Sequence, residues 1–301
     1  MIQLSSEKIR SMTDAEIRAW IDSCEKRFDR ELDQVAAAIL ESGVSLVSLA
    51  GPSCSGKTTT AHRLISLLEK AGKHVKVLST DDFFHNVSHF PVIDGEAPDF
   101  DSYDRLNHTL LRRTLRGITE GCEVGLPVFD FLTGVRTDNV ESYRPQTDGL
   151  VILEGIHALN DDLYGADMRF FRLGLNVRQD VSLDGVELFR ARQIRLMRRI
   201  IRDEKFRGYS APNTLFVWDN VHKGEIHYIY PFLQKPDAFI STGLEYEPCV
   251  WKEDALNSLQ LVEETHPCYA IAREFSEKLR ALPAIDPAYV PETSLLREFI
   301  G

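Results

Sequence analysis

The sequence lacks the features of a membrane, secreted or zinc-binding protein. No stretch approaches the roughly 20 consecutive apolar residues that span a bilayer. The first eight residues show no basic segment followed by an apolar one, which is the pattern of a signal peptide. The five cysteines are scattered, without a C-x-x-C pair, so neither a zinc site nor a disulfide scaffold is expected. These absences predict a cytoplasmic protein without a membrane partner.

Basic residues are also scarce. The 301 residues include 46 acidic and 35 basic ones, which gives a formal net charge of -11. Such a surface repels phosphodiester backbones, so nucleic acid is not an expected partner. Basic residues cluster once, within residues 190–207. The length suits one large α/β core with helical additions.

Short apolar segments alternate with amphipathic ones, which is typical of βαβ units and a parallel sheet with helices on both faces. Strands are predicted at residues 44–50, 74–79, 150–153 and 170–177, and helices at 57–71, 104–117 and 186–206. A small β-hairpin is predicted from residues 123–131 and 135–137. The predicted organisation is an N-terminal helical extension at 1–42, a core at 43–250 with a lid at about 186–210, and a C-terminal helical segment at 251–301 that packs on the core.

Residues 51–58, GPSCSGKT, fit the pattern G-x-x-x-x-G-K-[ST] at every fixed position. The glycines let successive N–H groups point at phosphate oxygens beside the positive end of the next helix. Lys57 would bridge the β- and γ-phosphates of a nucleotide, and the Thr58 hydroxyl would bind Mg²⁺. The predicted fold is therefore of the P-loop NTPase type. The nucleotide-binding residues of this loop are Gly51, Ser53, Cys54, Ser55, Gly56, Lys57, Thr58 and Thr59.

Two further carboxylate positions follow predicted strands. Glu154 ends an apolar strand, where a second Mg²⁺ contact belongs. Asp81 and Asp82 follow another strand, and either could be the carboxylate that a kinase needs near the acceptor hydroxyl. No guanine-reading N-K-x-D element is present, which argues against a GTPase.

The predicted basic helix carries arginines three or four residues apart. Arg195, Arg198 with Arg199, and Arg202 share one face of it. Such a stripe could fold over the triphosphate and stabilise the charge of the transferring group. The alternatives are a solvated helix face or an anion-binding subunit contact.

Taken together, these blocks resemble the uridine kinase family, within the wider phosphoribulokinase/uridine kinase group of P-loop kinases. The matching blocks are residues 51–58, 79–84, 126–131 with Arg136, 151–156 and 195–208, and residues 293–301 are similar to the tails of a bacterial uridine-kinase-like subgroup.

The resemblance implies an ATP- and Mg²⁺-dependent kinase that acts on a small molecule, most simply on a nucleoside. It implies that Asp81, rather than Asp82, is the catalytic aspartate and acts with Lys57 and Arg202. The implied metal-site residues are Thr58, Asp81 and Glu154; the implied substrate residues are Asp101 (ribose diol), Phe129, Arg136 and Arg199; and the lid arginines facing ATP are Arg202 and Arg207.

Departures from the family pattern fall on the acceptor side. Phe129 replaces a tyrosine, Gly134 a base-reading histidine, Tyr209 a lid arginine and Val217 a glutamine. Polar groups that discriminate between bases are therefore missing. Three readings stay open: a nucleoside kinase, a kinase for another polyol, pentose phosphate or pantothenate-like acceptor, and a non-catalytic ATP-binding regulatory protein. The terminal helices could also form a homo-oligomer interface.

Overall fold

The computed structural model describes residues 1–89, 101–131 and 133–301. Residues 85–103 are rich in Pro, Asp and Gly, which predicts a loop, and residues 90–100 of it lie outside the described residues. The strands are β1 Ile2–Leu4, β2 Leu46–Ala50, β3 His74–Ser79, β4 Val124–Asp130, β5 Val135–Tyr143, β6 Gly149–Glu154, β7 Phe171–Asn176, β8 Val181–Leu183, β9 Val186–Phe189 and β10 Ala238–Ser241. The helices are α1 Ser6–Ser11, α2 Asp14–Ser42, α3 Lys57–Lys70, α4 His108–Thr119, α5 Ala191–Arg202, α6 Ala211–Tyr228, α7 Glu247–Val250, α8 Lys252–Leu259, α9 Tyr269–Ala281 and α10 Arg297–Ile300.

A five-stranded sheet in the order β10-β7-β2-β6-β3 forms the centre of the protein, and all of its strand pairs are parallel. Every residue of β2 is buried, as expected for a strand covered on both faces. Parallel pairing brings the carboxyl ends of β2, β3 and β6 to one edge, where Ser79 pairs with Glu154. The α/β prediction is confirmed, and this edge collects the predicted site residues.

The N-terminal segment is helical, with one exception that the sequence did not reveal. Helix α2 begins at a capping box of Thr13 and Glu16 and ends at Gly43, whose left-handed backbone (φ 64°) favours glycine. Before it, β1 pairs in parallel with β8, so the first residues form a strand rather than part of a helix. Three residues carry too little periodicity to reveal such a strand, and its partner lies far along the chain.

The basic helix is shorter than predicted. Residues 186–189 form β9, which pairs antiparallel with β8 through a turn at Asp184 and Gly185, both with positive φ. Helix α5 begins after Arg190, whose backbone N–H donates to the Gln193 side chain. After Arg202 the chain continues as a π-helical turn at Asp203–Arg207. The prediction of one helix over 186–206 is therefore wrong at its start, while its end differs only in that the last turn is a π-helix.

Two smaller boundaries also differ. Helix α4 starts at His108 rather than residue 104, because Asn107 caps it by accepting from the Leu110 N–H. The predicted hairpin is present as β4 and β5, but its second strand extends to Tyr143. No helix in the described ranges is long and apolar enough to cross a bilayer.

Candidate active site

The loop between β2 and α3 is shaped by positions that admit no side chain. A Cβ on Gly51 would lie 2.3 Å from the Leu175 carbonyl oxygen. Gly56 has φ +82°, and Cys54 takes the left-handed region as well, with φ 58°. These conformations curl the backbone around the start of α3, as a phosphate-binding loop requires.

The polar side chains of the loop fit a phosphate ligand with Mg²⁺. The Lys57 ammonium lies over the loop and donates to the carbonyl oxygens of Gly51 (2.9 Å) and Pro52 (3.1 Å). The Ser55 hydroxyl is buried and has no hydrogen-bond partner among the described residues. Thr58 is exposed at the first turn of α3. Lys57, Ser55 and the first-turn N–H groups would hold the phosphates of ATP, and Thr58 would contact Mg²⁺.

The carboxylates at the sheet edge face this loop. Ser79 links two of their segments, because its hydroxyl donates to Glu154 (2.8 Å) and accepts from the Asp81 N–H (3.3 Å). Burial, and then the charge of Glu154, raises the pKa of Asp81 to about 6, against the opposing charge of Lys57. No group of three or more His, Cys, Asp or Glu in the described residues could hold a metal ion by itself. Mg²⁺ in phosphoryl-transfer sites commonly uses one or two carboxylates plus phosphate oxygens, which Asp81 and Glu154 fit.

Asp82 has a different environment from its neighbour. Its carboxylate accepts from the backbone N–H of Phe129 (3.2 Å) and so ties the turn after β3 to the hairpin. Burial raises the pKa of Asp82. Asp81 thus lies beside Lys57 and Glu154, whereas Asp82 holds the hairpin in place.

Two arginines of the predicted stripe do not face solvent or a ligand. Arg195 pairs with Glu225 (2.5 and 2.7 Å) and Arg198 with Glu247 (2.7 and 2.8 Å), and all four side chains are at most 1% exposed. The same guanidinium groups donate to loop carbonyls: Arg195 to that of Ser53 (3.0 Å) and Arg198 to that of Cys54 (3.3 Å). The alternative of a solvated helix face is therefore wrong for Arg195 and Arg198, which form ion pairs in the core and support the backbone of the loop.

Three further arginines of this segment converge on Asp203. Arg199 and Arg202 lie 3.3 and 2.7 Å from its carboxylate, and Arg207 lies 3.9 Å away. Arg199 also donates to the Ser53 hydroxyl at 3.3 Å. The structure thus brings Arg199, predicted on the acceptor side, next to the phosphate loop. All three cations could turn toward a phosphate, which presents more negative charge than Asp203 alone.

The acceptor side is built from the hairpin and the turn after β3. Arg136 donates to the carbonyl oxygens of Phe83 (3.4 Å) and Phe84 (2.8 Å), and the rings of Phe84 and Phe129 meet edge to face at 5.8 Å. Arg136 therefore orders the segment that follows Asp81. Asp101, the predicted diol ligand, lies beside α6, where a Cβ on Gly224 would approach its own Cβ to 3.0 Å.

The position of the base-reading histidine cannot carry a side chain here. Gly134 has φ +68°, and a Cβ on it would lie 2.6 Å from Val87 Cγ2. Of the other three departures, Tyr209 and Val217 are exposed, whereas Phe129 is buried. Val87 therefore fills the space that a side chain at position 134 would occupy.

Sequence reasoning missed His157, which follows the Glu154-Gly155-Ile156 run. Its ring is fully buried and meets the Tyr103 and Tyr228 rings edge to face at 5.4 and 6.2 Å. Burial lowers the pKa of His157 to about 4, so its imidazole is neutral near pH 7. A histidine just after a strand-end carboxylate was the available signal, but its burial could not be read from the sequence.

Comparisons with known proteins cover most of the chain. The sequence profile of the Phosphoribulokinase / Uridine kinase family matches residues 46–246. The chain is 28% identical over 201 residues to the uridine kinase of Salmonella typhimurium, covering 66% of this chain and 87% of that one, and equally to the uridine kinase of Salmonella typhi.

One solved structure shows the same fold at lower identity. A putative fructose transport system kinase from Silicibacter sp. TM1040 aligns with a TM-score of 0.50 and 17% identity over 69% of this chain and 98% of that one. A possible uridine kinase from Bacillus stearothermophilus aligns with a TM-score of 0.42 and 21% identity, over 49% and 80% of the two chains. The protein is thus an ATP-dependent P-loop kinase with a small-molecule acceptor, and it belongs to the phosphoribulokinase/uridine kinase family.

Proposed function

We propose that this kinase transfers the γ-phosphoryl group of ATP to the 5′-hydroxyl of a nucleoside, with little discrimination between bases. The observation that carries the proposal is the position of Asp81 at the carboxyl edge of the sheet, where Ser79 links it to Glu154 and its charge interacts with that of Lys57. A carboxylate with a pKa of about 6 is still largely ionised near pH 7 and is basic enough to accept the proton of an attacking hydroxyl. The resemblance to uridine kinases supports a nucleoside as the acceptor.

In this proposal the chain's own residues have separate tasks. Lys57 binds phosphate at the loop, and Arg202 and Arg207 turn from Asp203 toward the transferring group as its charge develops. Asp101 accepts hydrogen bonds from the sugar diol. Bound Mg²⁺ would neutralise phosphate charge, and Thr58, Asp81 and Glu154 would hold it. The segment at about 186–210 would act as the lid that carries these arginines.

The second candidate is a kinase for a non-nucleoside polyol. The observation in its favour is Gly134, because Val87 occupies the space into which a base-reading side chain would project. A hydrogen-bonding site rejects acceptors that lack the matching group, whereas an apolar wall rejects isosteres only weakly. A non-catalytic regulatory role is disfavoured by the presence of Lys57, Thr58, Asp81 and Glu154 together.

An acceptor panel distinguishes these candidates. ATP consumption with Mg²⁺ is measured against ribo- and deoxyribonucleosides, pentoses and pentose phosphates. We expect several ribonucleosides to be phosphorylated, with kcat/KM values that differ by less than about a hundredfold, since no polar side chain at 134 reads the base. 2′-Deoxyribonucleosides, which lack one hydroxyl of the diol, should be poorer acceptors because Asp101 loses a hydrogen-bond partner.

Two outcomes would contradict the proposal. ATP consumption stimulated only by pentoses or pentose phosphates would support kinase activity but exclude a nucleoside as the acceptor. Bound ATP without turnover on any acceptor would favour the regulatory role. The Asp81→Asn variant is the control that separates acceptor-dependent turnover from contaminating ATPase activity.

A further inference from the structure

The C-terminal residues 294–301 lie against the phosphate loop rather than at a distance from it. A Cβ on Gly56 would lie 2.4 Å from Leu295 Cδ1, so the Leu295 side chain packs directly against the backbone of Gly56. Leu295, Leu296 and Phe299 are fully buried in the main core. The segment is therefore a built part of the site and not a loose tail.

Both ends of this segment are anchored by hydrogen bonds. At its start, the Ser294 hydroxyl donates to the buried Glu25 of α2 (2.6 Å), which also accepts from the Tyr246 hydroxyl. At its end, the Lys205 ammonium donates to the Ile300 carbonyl (2.9 Å). These anchors fix the backbone of residue 298 relative to α3, so only the side chain of that residue is free to move.

Glu298 uses this fixed position to reach the first turn of α3. Its carboxylate accepts from the Thr59 backbone N–H (3.2 Å) and from the Thr59 hydroxyl (2.8 Å). First-turn N–H groups have no partner within their own helix and are the groups that bind phosphate oxygens. Glu298 also interacts electrostatically with Arg202, another group assigned to the phosphates. One carboxylate thus engages two predicted phosphate contacts.

We propose that Glu298 is an intramolecular competitor of the ATP phosphates and sets the nucleotide affinity of this kinase. A phosphate oxygen at Thr59 must displace the carboxylate, and the two negative charges repel each other. Nucleotide binding therefore requires the Glu298 side chain to rotate away, and its return favours release of the bound nucleotide. The proposal rests on the ATP-binding site and not on the identity of the acceptor.

The test compares Glu298→Gln and Glu298→Ala with the wild-type protein. Glutamine keeps the length of the side chain and removes the charge, whereas alanine removes the acceptor. The apparent Kd is the intrinsic Kd divided by the fraction of binding-competent molecules, so we expect both variants to bind ATP and ADP about three- to thirtyfold more tightly. Most of the gain should appear as slower dissociation of the nucleotide.

The matched control is Glu292→Gln. Glu292 belongs to the same part of the chain, its side chain is 92% exposed, and its ion pair with Arg297 is 3.7 Å long. This variant removes one negative charge without touching Thr59, and its Kd for ATP should match that of the wild type.

The thermal stability of the ligand-free protein is a second readout, and it should fall while the nucleotide affinity rises. Without nucleotide, Glu298→Gln should lower the Tm, because α3 loses a charged acceptor at its N-terminus. Tighter ATP binding together with a lower ligand-free Tm supports competition. An unchanged or weaker ATP affinity in both Glu298 variants would overturn the proposal and leave Glu298 as a helix cap. Since the titration contains no acceptor, failure of the nucleoside assignment would not alter either result.

Discussion

Asp81→Asn is expected to lower kcat by at least about a hundredfold while ATP stays bound, because the amide cannot accept the proton of the acceptor hydroxyl. Its geometry is preserved, since asparagine has the same shape and the Asp81 backbone N–H still donates to Ser79. Steady-state kinetics and a separate ATP titration measure the two effects. Asp82→Asn is the matched control, and we expect it to have a smaller effect, since that carboxylate holds the Phe129 backbone.

Asp81→Asn should also be more stable than the wild type in the absence of nucleotide and metal. The pKa of Asp81 is raised from 3.8 to about 6, so the folded protein binds a proton that the unfolded chain has lost between these values. The free energy of unfolding therefore falls as the pH rises from about 4 to 6, and stays low above that. At pH 7.5 we expect the free energy of unfolding of Asp81→Asn to exceed that of the wild type by on the order of 1 kcal/mol. This value is smaller than the full pKa shift would give, because the Asp81 side chain is partly exposed. Near-normal turnover, or a loss of stability, would contradict this assignment.

Glu247→Gln should destabilise the folded protein by about 3 to 5 kcal/mol, the usual result of leaving one member of a buried ion pair without its partner. Arg198 would keep its charge at a site with no solvent exposure, and Glu247 also accepts from the Leu244 N–H. Urea denaturation without ligands measures the change in the free energy of unfolding.

A matched exposed pair provides the control. Arg273 and Glu277 lie 3.1 Å apart, with side chains 67% and 59% exposed. We expect Glu277→Gln to change the free energy of unfolding by less than about 0.5 kcal/mol, as is usual for surface pairs. Equal effects of the two substitutions would show that the 198–247 pair does not stabilise the core as described.

Local patterns predicted four strands of the central sheet, but not its edge strand β10. The apolar run of β2, the glycine pattern of the loop and the capping glycine after α2 depend on neighbours in the chain, and each has a direct physical reading. Strand β9 was missed because Val186 and Phe189 lie three residues apart, which also fits a helical period. The turn that separates β9 from β8 rests on the backbone angles of Asp184 and Gly185.

Contacts between distant residues were beyond the sequence. The spacing of Arg195 and Arg198 placed them on one helix face, but Glu225 and Glu247, their partners, lie 30 and 49 residues further along. Asp81 and Asp82 could not be separated by pattern either, since their difference depends on which one meets the hairpin. The assignment of each site residue to ATP, metal or acceptor stays a prediction that the variants above test.

The buried ion pair of Arg195 and Glu225 supports the phosphate loop, and it also limits which sequence changes such a kinase can accumulate. Arg195 and Glu225 come from different helices, and neither can lose its charge alone without leaving the other buried and uncompensated. Single substitutions at either position should be purged by selection, while paired exchanges to apolar residues could persist. In an alignment of relatives, positions 195 and 225 are therefore expected to covary, even though neither residue is assigned a contact with ATP or the acceptor.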